Sequence, residues 1–257
     1  MAFNLKNRIR RKLYSFHGKV FLSSYKGTKF HCNICDQSFD KMIKLYDSYT
    51  IRGKDSDHSL PNAICPNCGS WFRHRMLQKY IDDSGFLEGQ PKLLHFAPET
   101  FFVKNFEKKL GNNYHTCDLK VMESPNHHIV DINNIPFEDN SFDRIICSHV
   151  LEHIETDEKA ISELYRILKP GGIALIAVPT YGDKTEEDLS LTPAQRKLEY
   201  GINIHVRLYG TDISKKLEKA GFKVQMESYE TIEGNYMERG HRSAHLDSDK
   251  YIFICTK

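Results

Sequence analysis

The sequence predicts an α/β protein: a mainly parallel β-sheet with helices on both faces, preceded by a small cysteine-bearing domain. Three observations carry this. From residue 92 onward, strand-sized apolar runs alternate with segments of helical periodicity. Four of the seven cysteines fall into two close pairs ahead of that alternation. The 257 residues are 40% apolar and 27% charged with only 15 glycines, a globular composition that excludes disordered, collagen-like and coiled-coil classes.

The amino terminus is basic. Residues 1–35 hold eight Lys/Arg and no acid, so the rest of the chain is net acidic although the overall charge is +2. Leu5, Ile9, Leu13, Phe16 and Val20 recur at helical spacing with Lys6, Arg8, Arg10, Arg11 and Lys12 between them, which predicts a basic amphipathic helix over 3–20. Such a helix either docks on its own domain or adheres to an anionic surface, membrane or nucleic acid. No apolar run approaches the roughly 20 residues that span a bilayer, and no secretory segment follows the basic start. The expectation is a cytoplasmic protein, with any membrane contact peripheral, at the inner face, through residues 3–20.

After this 1–29 segment, residues 30–80 read as a small domain of their own. Cys32-Asn33-Ile34-Cys35 and Cys65-Pro66-Asn67-Cys68 are C-x-x-C pairs separated by 29 residues, and Gly69 lets the second turn fold its amides toward the thiolates. Four thiolates, Cys32, Cys35, Cys65 and Cys68, select zinc, with iron also acceptable, in a closed structural site; redox pairs are the competing reading. Trp71-Phe72-Arg73-His74-Arg75 follows, suited either to phosphate or carboxylate recognition or to ion pairs between the domains. Gly85, Gly89 and Pro91 make 81–91 a linker.

The domain over 92–257 then builds in alternation. A strand at 92–96 leads into a helix at 99–110 that aligns Phe102, Phe106 and Leu110 and stops at Gly111. Strands are expected at 114–118, 128–132 and 144–148. Thr156 would cap a helix over 157–168 that Pro170-Gly171-Gly172 ends, and a strand at 173–178 follows at once. Thr211 would cap a last helix at 212–220 with Gly221 as its stop, before strands at 223–229 and 251–256. Cys117, Cys147 and Cys255 fall inside strands and read as core.

Such a sheet takes its ligands at the carboxyl ends of its strands. At the first strand-to-helix turn stands His95-Phe96-Ala97-Pro98-Glu99, where a dinucleotide site would want glycines and room for a pyrophosphate. Glu99 disfavours that anion and suits a cationic ligand such as S-adenosylmethionine, which carries an ammonium, a sulfonium and no phosphate.

The order of motifs resembles the class I S-adenosylmethionine-dependent methyltransferases over roughly 92–257. The residues that carry the resemblance are Asp118, Asp131-Ile132-Asn133-Asn134-Ile135-Pro136-Phe137, Asn140-Ser141-Phe142-Asp143, His149-Val150-Leu151-Glu152-His153-Ile154 and Glu163-Leu164-Tyr165-Arg166-Ile167-Leu168-Lys169-Pro170-Gly171-Gly172. With Cys65-Pro66-Asn67-Cys68-Gly69-Ser70, Arg73-His74-Arg75 and His205-Val206-Arg207-Leu208-Tyr209-Gly210 added, the chain looks like a bacterial branch bearing an amino-terminal zinc knuckle.

The resemblance implies a seven-stranded Rossmann-like sheet and S-adenosylmethionine as cofactor. It places His95, Ala97 and Glu99 where the family carries D-x-G-x-G around the methionine moiety. Asp118, about 21 residues past the turn, would accept the ribose hydroxyls. Asp131 and Ile132 would read the adenine, and Ser148 would end the fourth strand beside the methyl donor. A hydroxyl acceptor would lose its proton to His149, His153 or His205.

The implied function is O- or N-methylation of a small-molecule or glycan-linked acceptor. No N-P-P-Y, D-P-P-Y or Pro-Cys nucleophile is present, which argues against methylation of DNA bases. An RNA methyltransferase using the knuckle and basic terminus on phosphates, or a non-catalytic binding module, are the alternatives.

Overall fold

A computed structural model describes residues 22–52, 54–229 and 250–257. The expected basic helix over 3–20 lies outside the described residues. A short turn of helix, α1 (Leu22–Tyr25), opens a hairpin of β1 (Lys26–Cys32) and β2 (Gln37–Phe39), and a second hairpin joins β3 (Ile43–Ile51) to β4 (Lys54–Ile64). Helix α2 (Phe72–Asp83) leads out of this segment. The sequence does not announce α2, because His74, Arg75 and Gln78 occupy buried positions on it and interrupt the apolar stripe.

The alternation expected from residue 92 is present. It runs β5 (Leu93–Phe96), α3 (Thr100–Leu110), β6 (Tyr114–Asp118), β7 (His127–Ile129), β8 (Phe142–Ser148), α4 (Asp157–Ile167) and β9 (Leu168–Ala177). After it come β10 (Glu186–Glu187), α5 (Pro193–Tyr200), β11 (Arg207–Leu208), α6 (Ile213–Lys219), β12 (Lys223–Ser228) and β13 (Tyr251–Thr256). Seven strands form one sheet in the order β12-β13-β9-β8-β5-β6-β7. Every pairing from β9 to β7 is parallel, and β13 runs antiparallel to both its neighbours. The chain reverses its direction of growth between β5 and β8, and the strand ends at such a reversal leave a crevice for ligands.

Strand alternation sends residues to two cores. Leu94, Phe96, Ile145, Cys147, Ile176 and Cys255 face Ile161 and Leu164 of α4 and Ile213 and Leu217 of α6. Leu93, Ile146, Leu175 and Ile252 face Phe102 and Phe106 of α3, Met76 and Ile81 of α2, and Cys32 and Cys65 of the knuckle. The cysteine-bearing segment therefore shares a core with the sheet. Residues 81–91, expected as a linker, are part of the same packing: Ile81, Phe86 and Leu87 are buried, because turn formers punctuate the chain here without taking its apolar side chains to solvent.

Two caps and several boundaries differ from expectation: β7 ends at Ile129, short of the expected residue 132, and β9 begins at Leu168, ahead of the expected 173. The Thr156 hydroxyl donates to Asn133 Oδ1 at 2.9 Å instead of capping α4, and α6 begins one residue later than expected, with Asp212 preceding it. Asp212 in turn accepts from the Thr185 amide and hydroxyl. Pro170-Gly171-Gly172 lies within β9, where Gly171 at φ +75° lets the backbone reach Lys257.

Candidate active site

The carboxyl edge of the sheet is assembled by backbone hydrogen bonds between neighbouring strand ends. Ala97 N–H donates to the Cys117 carbonyl at 2.7 Å, Val130 N–H to the Asp118 carbonyl at 3.0 Å, and His149 N–H to the Ala177 carbonyl at 2.8 Å. Phe96 is in register with Cys147. Asp131, Asp118, Ala97 and Ser148 thus follow one another along one edge, in the order β7, β6, β5, β8.

Ala97 adopts the left-handed conformation, φ +46°, that a glycine usually supplies, and its side chain is exposed. The sharp turn is kept with the smallest side chain that has a Cβ, so a ligand can still approach the backbone closely. Asp118 accepts one hydrogen bond, from the Lys120 amide at 3.3 Å, which leaves a carboxylate most of its acceptor capacity. Leu119, immediately after it, is 68% exposed; an apolar side chain open to solvent beside a strand-end acid suits a flat base lying against it. Sequence reasoning passed over Leu119, although the apolar residue after the acid was the available signal. Asp131 is exposed and accepts from the Asn133 amide at 2.9 Å, closing its own turn. The donor set and the open turn fit S-adenosylmethionine: hydroxyls and an exocyclic amine would meet carboxylates.

Three of the expected cofactor residues are placed elsewhere. His95 is buried beneath α3, its Nδ1 3.0 Å from the Tyr114 hydroxyl and its ring against Phe102 and Phe106. Strand parity puts it on Leu93's side of the sheet, away from the edge. Ile132 is 5% exposed and belongs to the core around α4. Glu99 stands just ahead of α3 but is engaged: its Oε1 lies 2.8 Å from Nε2 of His74 on α2. His74 Nδ1 accepts from the Trp71 amide at 2.9 Å, so its Nε2 carries the proton that faces Glu99. The arginines of the Trp71–Arg75 run are likewise used internally. Arg75 is buried and donates to the Ser70 and Ala63 carbonyls, and Arg73 stacks over Trp71.

Burial pulls both His74 and His95 down to about 4, in His74 against the opposing pull of Glu99. Between about pH 4 and 6.5 these imidazoles are neutral in the folded chain and protonated in the unfolded one. The unfolded state binds more protons there, so stability falls as the pH drops through that window. At pH 5 each group costs about 2 kcal/mol relative to neutral pH. The thermal midpoint is expected to drop between pH 7 and 5, and His95→Gln, which keeps a partner for Tyr114, to remove a clear part of that drop. An identical pH profile for the variant would refute the assignment.

The three histidines expected to act on the acceptor come together. His149, at φ +56°, turns the chain after β8 and sets its Nδ1 3.2 Å from Glu152 Oε1; His153 Nε2 is 3.9 Å from the same oxygen. The His205 ring lies 4.9 Å, centroid to centroid, from that of His153. Burial would push the Glu152 carboxyl up, but His149 first, then His153 and His205, outweigh it and hold it at about 2. What fixes this cluster is Arg207, whose guanidinium is fully buried and donates to the Leu151, Ile154 and Glu155 carbonyls, while the Val206 amide donates to the Glu152 carbonyl. Glu152 and Arg207 are the residues whose roles the sequence did not disclose.

The four cysteines converge as expected. Cys32 Sγ lies 3.7 Å from Cys68 Sγ and Cys35 Sγ 3.7 Å from Cys65 Sγ. Four sulfurs about 2.3 Å from a central ion stand about 3.8 Å apart in a tetrahedron, so the donor set is compatible with zinc. Both turns return an amide to the first cysteine of their pair, Asp36 to Cys32 and Gly69 to Cys65, with Asp36 (φ +52°) and Gly69 (φ +75°) left-handed.

Residues 102–176 match the family described as "Methyltransferase domain". Among curated relatives, the biotin biosynthesis bifunctional protein of Teredinibacter turnerae is 33% identical over 114 residues, covering 44% of this chain and 19% of that protein. The ubiquinone/menaquinone biosynthesis C-methyltransferase of Haemophilus ducreyi is 30% identical over 122 residues, 40% of this chain and 47% of that protein. This chain therefore spans less than half the length of either. A crystal structure of an S-adenosylmethionine-dependent methyltransferase from Archaeoglobus fulgidus superposes with a TM-score of 0.51 at 16% identity, over 74% of this chain and 95% of that one, and shares the fold. The strand order and the matched segment give this chain a methyltransferase-type fold, with residues 102–176 similar to the methyltransferase domain family.

Proposed function

We propose that the chain transfers a methyl group from S-adenosylmethionine to an oxygen or nitrogen of a small-molecule or glycan-linked acceptor, and that its four thiolates hold a structural zinc ion. The observation that carries the reading is the run of Asp131, Asp118, Ala97 and Ser148 along one sheet edge with the His149, His153 and His205 cluster immediately beyond it. The bound cofactor supplies an electrophilic methyl on a sulfonium, a leaving group that needs no further activation.

What remains for the protein is alignment, exclusion of water and the fate of a proton. Asp118 would hold the ribose hydroxyls, and Asp131 the adenine amine. Ser148 and His149 would border the methyl, and the imidazoles beyond them would receive the acceptor. Several curated relatives are named as methyltransferases of small molecules, among them sterol 24-C-methyltransferase of Saccharomyces cerevisiae, 31% identical over 98 residues. This supports a small acceptor.

The test is incubation of the chain with methyl-labelled cofactor and fractions of a lysate from its source. Label is expected in carbohydrate or small-molecule fractions, resistant to ribonuclease and protease. Label confined to RNA would overturn the acceptor class, and no transfer into any fraction would overturn the activity.

A further inference from the structure

The cluster beyond the sheet edge has an unbalanced centre. Glu152 has a side chain 2% exposed on the turn after β8; its Oε1 faces His149 Nδ1, and its Oε2 is buried with no hydrogen-bond partner among the described residues. A buried carboxylate oxygen left without a donor is costly, and buried charges are as a rule paired or coordinate metals. His153 Nδ1 lies 3.2 Å from the Ile204 carbonyl, which can only accept, so Nδ1 carries a proton and Nε2 is the ring nitrogen directed at Glu152. Nε2 and Glu152 Oε1 stand 3.9 Å apart, too far for a direct hydrogen bond. Glu152, His153 and His205 each offer one ligand atom, all within 4.8 Å of one another.

We propose that Glu152, His153 and His205 form a second metal site, distinct from the thiolate cluster, for a divalent transition cation. Two imidazoles and one carboxylate suit zinc, cobalt, nickel or ferrous iron, and three protein ligands leave positions open. The surroundings are those of a metal site: the Ile204 carbonyl fixes the tautomer of His153, and His149 engages Glu152 at Oε1, leaving Oε2 free to turn toward a cation. The frame is rigid, since Val206 and Arg207 bind the 151–155 backbone and bring His205 from about 50 residues further along the chain.

The chemistry such a cation would do rests on the methyltransferase reading; its binding does not. An acceptor hydroxyl taking an open position would lose its proton to water more readily, as zinc-bound water does at a pKa near 7. Its oxygen would then attack the methyl carbon. The sulfur–carbon bond breaks with its electron pair kept on sulfur, leaving a neutral thioether. His153 and His205 would thus act by holding a cation and not by taking the proton themselves.

The test uses the full chain with its thiolate cluster first saturated with zinc, titrated with Co2+ and followed by absorption. The expected result is uptake of one further equivalent with the weak visible bands of nitrogen and oxygen ligands and without intense thiolate-to-cobalt charge transfer. His153→Ala and Glu152→Gln should weaken uptake on the order of 100-fold, since losing even an outer-shell partner costs roughly 10–100-fold. Asp118→Asn, which impairs the cofactor site alone, should leave it intact. His153 is part-exposed, so its variant remains informative should the buried positions not tolerate change. No uptake beyond the thiolates, or uptake unaltered in His153→Ala, would overturn the site. Cobalt uptake without methyl transfer to any acceptor would keep the site and sink the reaction.

Discussion

Asp118→Ala is expected to weaken binding of S-adenosylmethionine and of its demethylated product roughly 10²- to 10⁴-fold while the chain stays folded. The estimate follows from the residue's position. Asp118 ends β6, one strand away from the Ala97 turn, with a carboxylate that spends only one long hydrogen bond on its own loop. Each hydrogen bond from a ribose hydroxyl to that charge is worth about 1.5–3 kcal/mol, and the variant forfeits two. Asp131→Ala should cost less, about tenfold, because its carboxylate is exposed and already serves the Asn133 amide. His95→Gln should leave affinity unchanged, since the imidazole lies under α3. Titration calorimetry with the product decides among these. An Asp118→Ala chain that binds within threefold of the parent would remove the ground for the cofactor site.

This ordering of effects shows where the sequence was legible. Strand and helix order was, because period-two and helical patterns are local and the two cores are fed by strict alternation. The places of Asp118 and Ala97 on the sheet edge were legible for the same reason: Asp118 is the last residue of β6 and Ala97 the first after β5. His95 misled because it falls within a four-residue strand, where motif position and side-chain parity disagree, and parity decides which way a side chain points.

Contacts made at long range were not legible. Glu99 invites a cation on sequence grounds, yet His74 takes that place from a helix the apolar pattern does not reveal. His205 is brought to Glu152 and His153 by the two residues after it, the Val206 amide and the buried Arg207 guanidinium, and nothing local distinguishes Arg207 from a solvated charge. Arg166, by contrast, binds Glu163 three residues before it, a pairing helical geometry already implies.

Cys65→Ser is expected to lower the thermal midpoint of the whole chain by on the order of 10 °C and to remove bound zinc, with one unfolding transition instead of two. Structural zinc in small domains supplies about 10–16 kcal/mol of apparent binding energy, so losing one of four thiolates forfeits several kcal/mol, and each shifts the midpoint of a domain this size by roughly 2–4 °C. The loss should spread because Cys32 and Cys65 are packed in one core with Met76, Leu93, Phe102 and Ile146. The knuckle cannot loosen without exposing the face of the sheet it covers. Cys147→Ala, a buried thiol in the opposite core with no part in the cluster, should cost only about 1 kcal/mol and keep the metal. Scanning calorimetry paired with elemental analysis separates the cases. A Cys65→Ser chain that keeps its zinc and melts beside the parent would mean that the thiolates are a passive part of the core.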